Sequence, residues 1–425
     1  MEQERGNKVK RLLSIATVLA LVLGFAVAGY AKNPVVINMF VGKDQSGANQ
    51  KLVDMFNASR DDIQINYQEL PPSSTDQHDK YVTMLAARDS SLDVFSTDIP
   101  WVPEFASAGW LLPLDDLFDD QDAYFAGPLM GTTFQRQVYA VPWFNNAGML
   151  FYRTDLLEEA GFEPPTTFDE MVEIAQKLQT PERYGFAFQG MQYEGVVCAW
   201  LEMYWGMGGQ MLDADGNLIA DEKILAESLQ WLGDLVHKNK ITPPAVTTWK
   251  EAESQDVFVG GRAVFHRGWP SVYAYSQNPD NSKVVGKVGI VPMVHAPGKQ
   301  SAATLGTWNL SISRFTKHPK EAWEVVKFMT SHESQKIKAI MGGNPPARKS
   351  VYTDADVLEK YPHFEQFYDV FLGALPRPVT PAYPQLSVEA IQPHIAAVLA
   401  NTKTGEEAAA DMLKDMQRIL DRARR

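Results

Sequence analysis

The sequence predicts an α/β protein of two lobes, each a mainly parallel sheet flanked by helices, joined by hinge crossovers. The chain has 425 residues, more than one hydrophobic core usually organises, and 45% of them are hydrophobic. Apolar strand-like runs alternate with amphipathic runs in its first hundred residues, which is the βαβ rhythm of a parallel sheet. A later strand-rich segment, 287–313, indicates that the chain crosses back to the first lobe. Such crossings leave a cleft at the hinge, where ligands commonly bind.

The N-terminus has the pattern of a secretory signal peptide. Basic residues between positions 8 and 11 precede a stretch without charge from 12 to 31, and small residues allow cleavage after Ala28 or Ala31. The alternative is a retained membrane anchor, because the apolar run is near the shortest length that spans a bilayer. No cysteine lies near either cleavage position, so a lipoprotein is not expected. We therefore predict a signal peptide over 1–31 and a periplasmic or extracellular protein.

The βαβ rhythm is clearest between residues 34 and 98. Strands are predicted at 34–42 and 63–70, with a helix at 50–59 between them. A second helix and a strand ending in polar residues follow. Because ligands of such sheets lie beyond the carboxyl ends of the strands, Asp98 and Trp101 become candidate ligand-binding residues.

Helices dominate the middle of the chain. They are predicted at 166–179, with a threonine near the N-cap, and at 194–206 and 222–238. The turn at 212–221 resembles a calcium loop only faintly, because Gly216 is misplaced and no acidic residue stands at the twelfth position. No metal site is predicted there.

Charge and motifs exclude several function classes. The formal net charge of -13 argues against nucleic-acid binding, which needs a basic patch.

The single cysteine, Cys198, cannot form an intrachain disulfide and is expected to be a buried small hydrophobe. Nucleophile-elbow, phosphate-loop, dinucleotide and zinc-ligand patterns do not occur. We predict no cofactor and no enzyme activity, with a secreted glycoside hydrolase as the alternative because Asp and Glu are plentiful.

Aromatic residues stand beside amides, Asp or Arg at several predicted element ends. The stretch 143–146 carries two aromatics and two amides where the chain passes between strands, and similar combinations occur at 98–101, 267–273, 306–309 and around Arg377. Aromatic faces cover the apolar side of a sugar ring, and the polar groups pair with its hydroxyls. Each residue also has an ordinary structural interpretation, as a core tryptophan, a turn amide or a solvated loop charge.

Seven stretches of the chain resemble the extracellular sugar-binding proteins of ATP-binding-cassette importers, in the maltose/trehalose-binding branch of solute-binding protein family 1. In chain order they are YAVPWFNNAGMLFYRTDLLEEAG, PPTTFDEMVEIAQKL, YEGVVCAWLEMYWGMGGQML, VGGRAVFHRGWPSVYAY, LGTWNLSIS with HPKEAWEVVKFMTSHESQK, and RPVTPAYPQLS. The resemblance implies a type II periplasmic-binding-protein fold that closes on a sugar. It implies a first lobe of 33–143 plus 302–346 and a second of 147–297 plus 350–425.

The resemblance also implies the residues that contact the sugar. They are Asp98, Phe144, Asn146, Trp269, Tyr273, Thr307, Trp308 and Arg377. Trp101 is added as a stacking residue, and Asp44, Gln45 and Gln77 are weaker candidates near the N-terminus. Some family members have Asp and Tyr where this chain has Asn146 and Phe144, and Thr307 replaces a glycine, so the hydrogen-bond pattern to the ligand is expected to differ.

An α-linked disaccharide of the trehalose or maltose type is the expected ligand, with a membrane permease as the partner of a monomeric binding protein. Another polyol, a sugar phosphate or a modified sugar is the alternative ligand class. A phosphate would need several cationic contacts, and only Arg267 and Arg377 are expected near the cleft.

Overall fold

A computed structural model describes residues 33–44, 46–71, 74–213 and 216–424. The predicted signal peptide over 1–31 and the candidate Gln45 lie outside these ranges. Within them, no helix combines the length and the apolar character that crossing a membrane requires.

The strands of the described chain include those predicted at 34–42 and 63–70 and within the segment 287–313. They are β1 (Val35–Gly42), β2 (Ile63–Leu70), β3 (Val94–Asp98), β4 (Thr133–Phe134), β5 (Gln137–Val138), β6 (Ala140–Phe144), β7 (Met149–Arg153), β8 (Tyr184–Ala187), β9 (Ala263–Gly268), β10 (Val288–Val291), β11 (Ala303–Thr304), β12 (Trp308–Ile312) and β13 (Ala374–Leu375).

Helices cover both sheets. They are α1 (Ala48–Ser59), α2 (Ser74–Ala86), α3 (Trp101–Ser107), α4 (Ala126–Thr132), α5 (Thr154–Ala160), α6 (Phe168–Leu178), α7 (Glu194–Gly206), α8 (Glu222–His237), α9 (Glu251–Val259), α10 (Ser271–Ser276), α11 (Pro319–Met329), α12 (His332–Gly342), α13 (Ala355–Lys360), α14 (Phe364–Leu372), α15 (Tyr383–Gln385), α16 (Gln392–Leu399) and α17 (Gly405–Ala423). A π-helical turn at Leu386–Ile391 joins α15 to α16, and short 3-10 turns occur at 121–123, 244–248 and 349–353.

Two separate sheets form the framework of the described chain. The first has the strand order β2-β1-β3-β12-β6, and the second has the order β10-β7-β9-β8. In the first sheet, β12 runs antiparallel to β3 and β6, because it begins at the hinge edge where they end. In the second sheet, β7 runs antiparallel to β9 for the same reason. The α/β composition and the two-lobe arrangement are therefore as predicted.

Each sheet has its own hydrophobic core. Both faces of the first sheet are covered, one by a cluster that includes Leu52 and Val325 and the other by an aromatic cluster around Tyr81 and Phe105. A larger cluster surrounds the second sheet and includes Trp200. Burial of this much apolar surface is the main term that stabilises each half.

Local capping signals set the ends of the helices. Thr167 accepts a hydrogen bond from the Glu170 N–H and Glu170 reaches back to the Thr167 backbone, so the predicted N-cap threonine of α6 forms a capping box. The first turn of α17 repeats this motif with Thr404 and Glu407.

Short segments cross between the two sheets and are hydrogen-bonded to one another. The Gly306 N–H donates to the Asn146 carbonyl at 2.8 Å, and the Gly148 N–H donates to the Thr304 carbonyl at 3.2 Å. The next crossing joins them through the Asn145 N–H, which donates to the Pro345 carbonyl at 2.8 Å. The crossings at 144–148, 303–307 and 345–347 therefore form one hydrogen-bonded hinge.

We expect Gly148→Ala to destabilise the fold by about 3 kcal/mol, because a Cβ at this position would overlap the Glu202 carboxylate and the Arg267 guanidinium. Gly373→Ala is the matched control, since the nearest atom to its Cβ lies 4.0 Å away. Urea unfolding measures both. A Gly148→Ala variant as stable as Gly373→Ala would contradict this close packing under the hinge.

Candidate ligand-binding cleft

Three predicted residues meet at the hinge edge of the first sheet. Asp98 ends β3 and Phe144 ends β6, and Trp308 at the start of β12 pairs with Asp98 on one side and Phe144 on the other. Phe144 and Trp308 are half-buried and line a common cavity, whereas Asp98 is 7% exposed. The strand register therefore places Trp308 between the Asp98 carboxylate on one side and the Phe144 ring on the other.

Trp101 supports Trp308 from behind. The two indole rings meet edge to face with centroids 5.4 Å apart. Trp101 is itself buried, and its ring also contacts those of His78 and Phe105. Edge-to-face packing of this kind favours one ring orientation, so Trp101 holds Trp308 in place.

Arg377 connects the first sheet to the start of α7. Its Nη2 donates to Asp98 Oδ1 at 2.5 Å and its Nη1 donates to Glu194 Oε1 at 2.9 Å. Glu194 also accepts hydrogen bonds from the Tyr383 and Ser387 hydroxyls, each at 2.5 Å. Burial raises the pKa of Asp98, and the Arg377 guanidinium opposes that rise. The cleft thus contains a buried network that spans elements of both lobes.

Trp269 lies beside the hinge crossing that contains Gly306. It follows β9, is half-buried, and lies against the backbone of Gly306, where an added methyl group would stand 3.1 Å from the ring and 3.3 Å from the Asn146 Cβ. Asn146 is half-buried as well. Trp308 follows Gly306 by two residues. Trp269, Trp308 and Asn146 therefore all lie near the crossing that contains Gly306.

A buried ion pair lies under Trp269. The Arg267 guanidinium is centred 4.1 Å from the Trp269 ring and donates to Glu202 through Nε at 2.8 Å and Nη2 at 2.5 Å. The Thr304 N–H also donates to Glu202, at 3.2 Å. Burial raises the pKa of Glu202, and the charge of Arg267 opposes that rise. The pair therefore connects Trp269 to the crossing segment that contains Thr304.

Thr307 is buried and Tyr273 is half-buried, and each contacts another residue of the protein. The buried Thr307 hydroxyl donates to Asn145 Oδ1 at 3.1 Å, which fastens one crossing to another. The half-buried Tyr273 ring lies against His363, with centroids 3.9 Å apart. Burial lowers the pKa of His363 to about 4, so this imidazole is neutral at pH 7.

A cavity of about 200 Å³ opens beside Trp308 in the first lobe; we call it the inner chamber. Residues on its walls include Asp44, Asn49, Gln77, Phe144, Trp308 and Lys338. The weaker candidates Asp44 and Gln77 therefore lie at the same cavity as Phe144 and Trp308.

Sequence reasoning missed Lys338 and Glu194. Lys338 belongs to an ordinary amphipathic run in α12, and nothing in that run distinguishes a lysine that points inward. Glu194 offered one signal, since it is an acidic residue in the first turn of a mostly apolar helix. No group of three or more His, Cys, Asp or Glu that could hold a metal ion occurs within the described ranges.

A wider groove of about 1540 Å³ adjoins Arg377. It runs between the 133–135 hairpin, the loops at 208–213 and 298–302, and the 375–381 segment. Its volume exceeds what one small ligand usually occupies, so it has the character of an open surface groove.

Comparison with known proteins places these features in a family. The family model for bacterial extracellular solute-binding proteins matches residues 42–336. A probable ABC transporter-binding protein of Deinococcus radiodurans is 33% identical over 377 residues, which cover 86% of this chain and 88% of the relative. A mannitol-binding protein of Pseudomonas aeruginosa is 24% identical over 353 residues, 79% of this chain and 78% of the relative.

A solved structure agrees with the fold over nearly its whole length. Maltose-bound MalE3 of T. maritima is 38% identical, covers 90% of this chain and 99% of its own, and superposes with a TM-score of 0.83. The predicted two-lobe periplasmic-binding-protein fold is confirmed by this match.

We expect Arg267→Met to lower the free energy of unfolding by about 3–5 kcal/mol, because Glu202 would remain as an unpaired buried charge. The double variant Arg267→Met/Glu202→Met should recover most of that loss, since it removes both charges. Urea unfolding of the two single variants and the double variant measures the coupling. Additive losses in the double variant would contradict a mutually dependent pair.

Proposed function

The chain belongs to the bacterial extracellular solute-binding proteins, and from that premise we propose that it captures a neutral oligosaccharide in the cleft between its two lobes. The observation that carries this proposal is the convergence of the two half-buried tryptophans, Trp269 and Trp308, from opposite sheets at the same hinge. Half-buried aromatic faces suit the apolar faces of sugar rings. Asn146, Asp98 and Arg377 supply hydrogen-bonding groups between them.

The two lobes are assigned as 33–143 plus 302–346 and 147–297 plus 350–425. This division follows the crossings at the hinge, and Arg377 bonds to a residue from each lobe across it. A ligand that contacts both lobes stabilises the closed form and shifts the population towards it. The closed, loaded form is the one that would dock on a membrane permease of an ABC importer.

Relatives support a sugar or polyol as the ligand. The T. maritima structure holds maltose, and the P. aeruginosa relative is a mannitol-binding protein. An α-linked disaccharide of the maltose or trehalose type is the ligand we favour, because aromatic walls on both sides of the hinge accommodate more than one ring. A sugar phosphate is disfavoured, since Arg267 and Arg377 already pair with carboxylates.

A binding role is also favoured over glycoside hydrolysis. A hydrolase needs one protonated and one free carboxyl group flanking the scissile bond. Two carboxylates near the hinge, Asp98 and Glu194, are both held by Arg377, and Glu194 accepts two further hydroxyl donors. Incubation with a bound disaccharide followed by product analysis should therefore recover the sugar intact.

Export and assembly follow from the same proposal. The family is extracellular, and the segment 1–31 would be removed as a signal peptide to release a monomeric protein without a lipid anchor. Intact-mass measurement of the protein from the periplasm or medium checks this, because a lipid anchor or an uncleaved leader would change the mass.

The direct test is isothermal titration of the mature chain with maltose, trehalose, maltotriose and mannitol. At least one should bind at a single site and quench or shift tryptophan fluorescence. Absence of binding by every member of this panel would contradict the proposed ligand class.

We expect Asn146→Ala to weaken binding of the tightest sugar about tenfold while changing stability little, because the half-buried amide would lose its ligand hydrogen bonds. Asn145→Ala is the matched comparison. Asn145 is fully buried and accepts from Thr307, so its loss should reduce stability. An Asn146→Ala variant that unfolds early and keeps its affinity would show that this turn is only structural.

A further inference from the structure

The inner chamber holds an ammonium group in an unusual setting. Lys338 is 4% exposed, and its Nζ lies 4.1 Å from the Trp143 ring centroid and 4.7 Å from that of Phe144. Among the described residues its one hydrogen-bond acceptor is Asn49 Oδ1, at 2.8 Å. An ammonium has three donors, and aromatic faces compensate a buried cation only in part. Lys338 therefore has donor capacity left for a ligand.

The same chamber contains other buried polar atoms that lack partners. Gln77 is 2% exposed, and its Nε2 donates to the Pro71 carbonyl while its Oε1 has no partner within the described part of the chain. The Trp143 Nε1 donor is likewise unpartnered there. Unpaired buried polar atoms carry a desolvation cost that a bound ligand can remove.

We propose that Lys338 and Gln77 determine specificity by binding the hydroxyls of one neutral sugar ring inside the inner chamber. The inference rests on the proposed function and goes beyond it by naming the groups that select the ligand. A volume of about 200 Å³ is below the range of drug-sized ligands, so the chamber takes one ring while the rest of the oligosaccharide stays in the cleft.

The chemistry of the chamber separates a hydroxyl from an anion. A hydroxyl accepts a hydrogen bond from Lys338 and can donate one to Gln77 Oε1. A carboxylate or phosphate can only accept, so it would leave Gln77 Oε1 unpaired and would face the Asp44 carboxylate on the same wall. The set of donors and acceptors therefore fits a neutral polyhydroxylated ring.

Charged and titratable groups surround Lys338 on several elements. Burial raises the pKa of Asp44, which precedes α1, but the Lys338 charge and hydrogen bonds from the Asn49 N–H and Ser46 outweigh burial, so the pKa lies below its ordinary value. Lys43 lines the chamber with an exposed side chain. The Tyr67 hydroxyl accepts a hydrogen bond from Asn49 Nδ2 at 3.4 Å. Burial lowers the pKa of Lys338 to about 8, so the group loses its charge in an accessible range of pH.

The first test is titration of Lys338→Met with whichever of maltose, trehalose, maltotriose and mannitol binds the wild type most tightly. Methionine keeps the apolar stem and removes the donor, so affinity should fall roughly tenfold to a hundredfold. Gln77→Met should lower affinity several-fold. Lys327→Met is the control, since this lysine is exposed on α11 and pairs with Glu324. Wild-type affinity in a folded Lys338→Met variant would overturn the inference.

The pH dependence separates ligand binding from mere packing. Wild-type affinity should be highest where Lys338 is protonated and should fall as the pH rises through about 8, because the protonated amine is the stronger donor. The profile of Lys338→Met should be flat, and Lys327→Met should keep the wild-type decline. Constant wild-type affinity across this range would overturn the inference even if Lys338→Met did not fold.

The two proposals fail in different ways. If no sugar of the panel binds the wild type, the proposed function fails, and the assignment of Lys338 fails with it. If a sugar binds and neither the variants nor the pH change its affinity, only the assignment of Lys338 and Gln77 fails.

Discussion

The buried ion pair between Glu202 and Arg267 is the constraint on which the rest of the cleft depends. Removing two charges from water is costly, and a pair of this kind is tolerated only when its hydrogen bonds are satisfied. Glu202 meets this requirement by accepting from the Arg267 side chain and from the Thr304 N–H of a crossing segment. Gly148 provides the space beside it, and Trp269 stacks on the guanidinium. The hinge, the Trp269 ring and the core of the second sheet are therefore positioned by the same set of contacts.

The polar groups around the cleft fall into two classes. Near the hinge, Asp98, Glu194 and Arg377 bond to one another, so these groups already have partners within the protein. In the inner chamber, Gln77 and Lys338 retain unused hydrogen-bonding capacity among the described residues. This contrast separates groups that are already paired from groups that would gain partners from the proposed ligand. A ligand rich in hydroxyls would supply hydrogen-bond donors and acceptors to both kinds of group.

Much of the fold could be predicted from the sequence because local signals determine it. Apolar runs and capping residues predicted strand 63–70 and helix 194–206 at their observed bounds, and a threonine at 166 or 167 as the N-cap of α6, which the structure places at 167. The site was less accessible. The pairing of Asp98 with Trp308 depends on the register of strands that are distant in sequence. The family resemblance indicated both residues as sugar contacts, but not that they are neighbours. The inward direction of Lys338 depends on tertiary packing alone, which no local pattern records.

The most direct test of sugar capture between the lobes is a crystal structure of the mature protein with the tightest-binding sugar of the panel. We predict a closed complex in which one ring lies in the inner chamber against Trp308 and Lys338 and another lies on Trp269, so that the sugar contacts both lobes. A sugar held by one lobe alone, or one bound in the open groove between 133–135 and 208–213, would contradict this prediction.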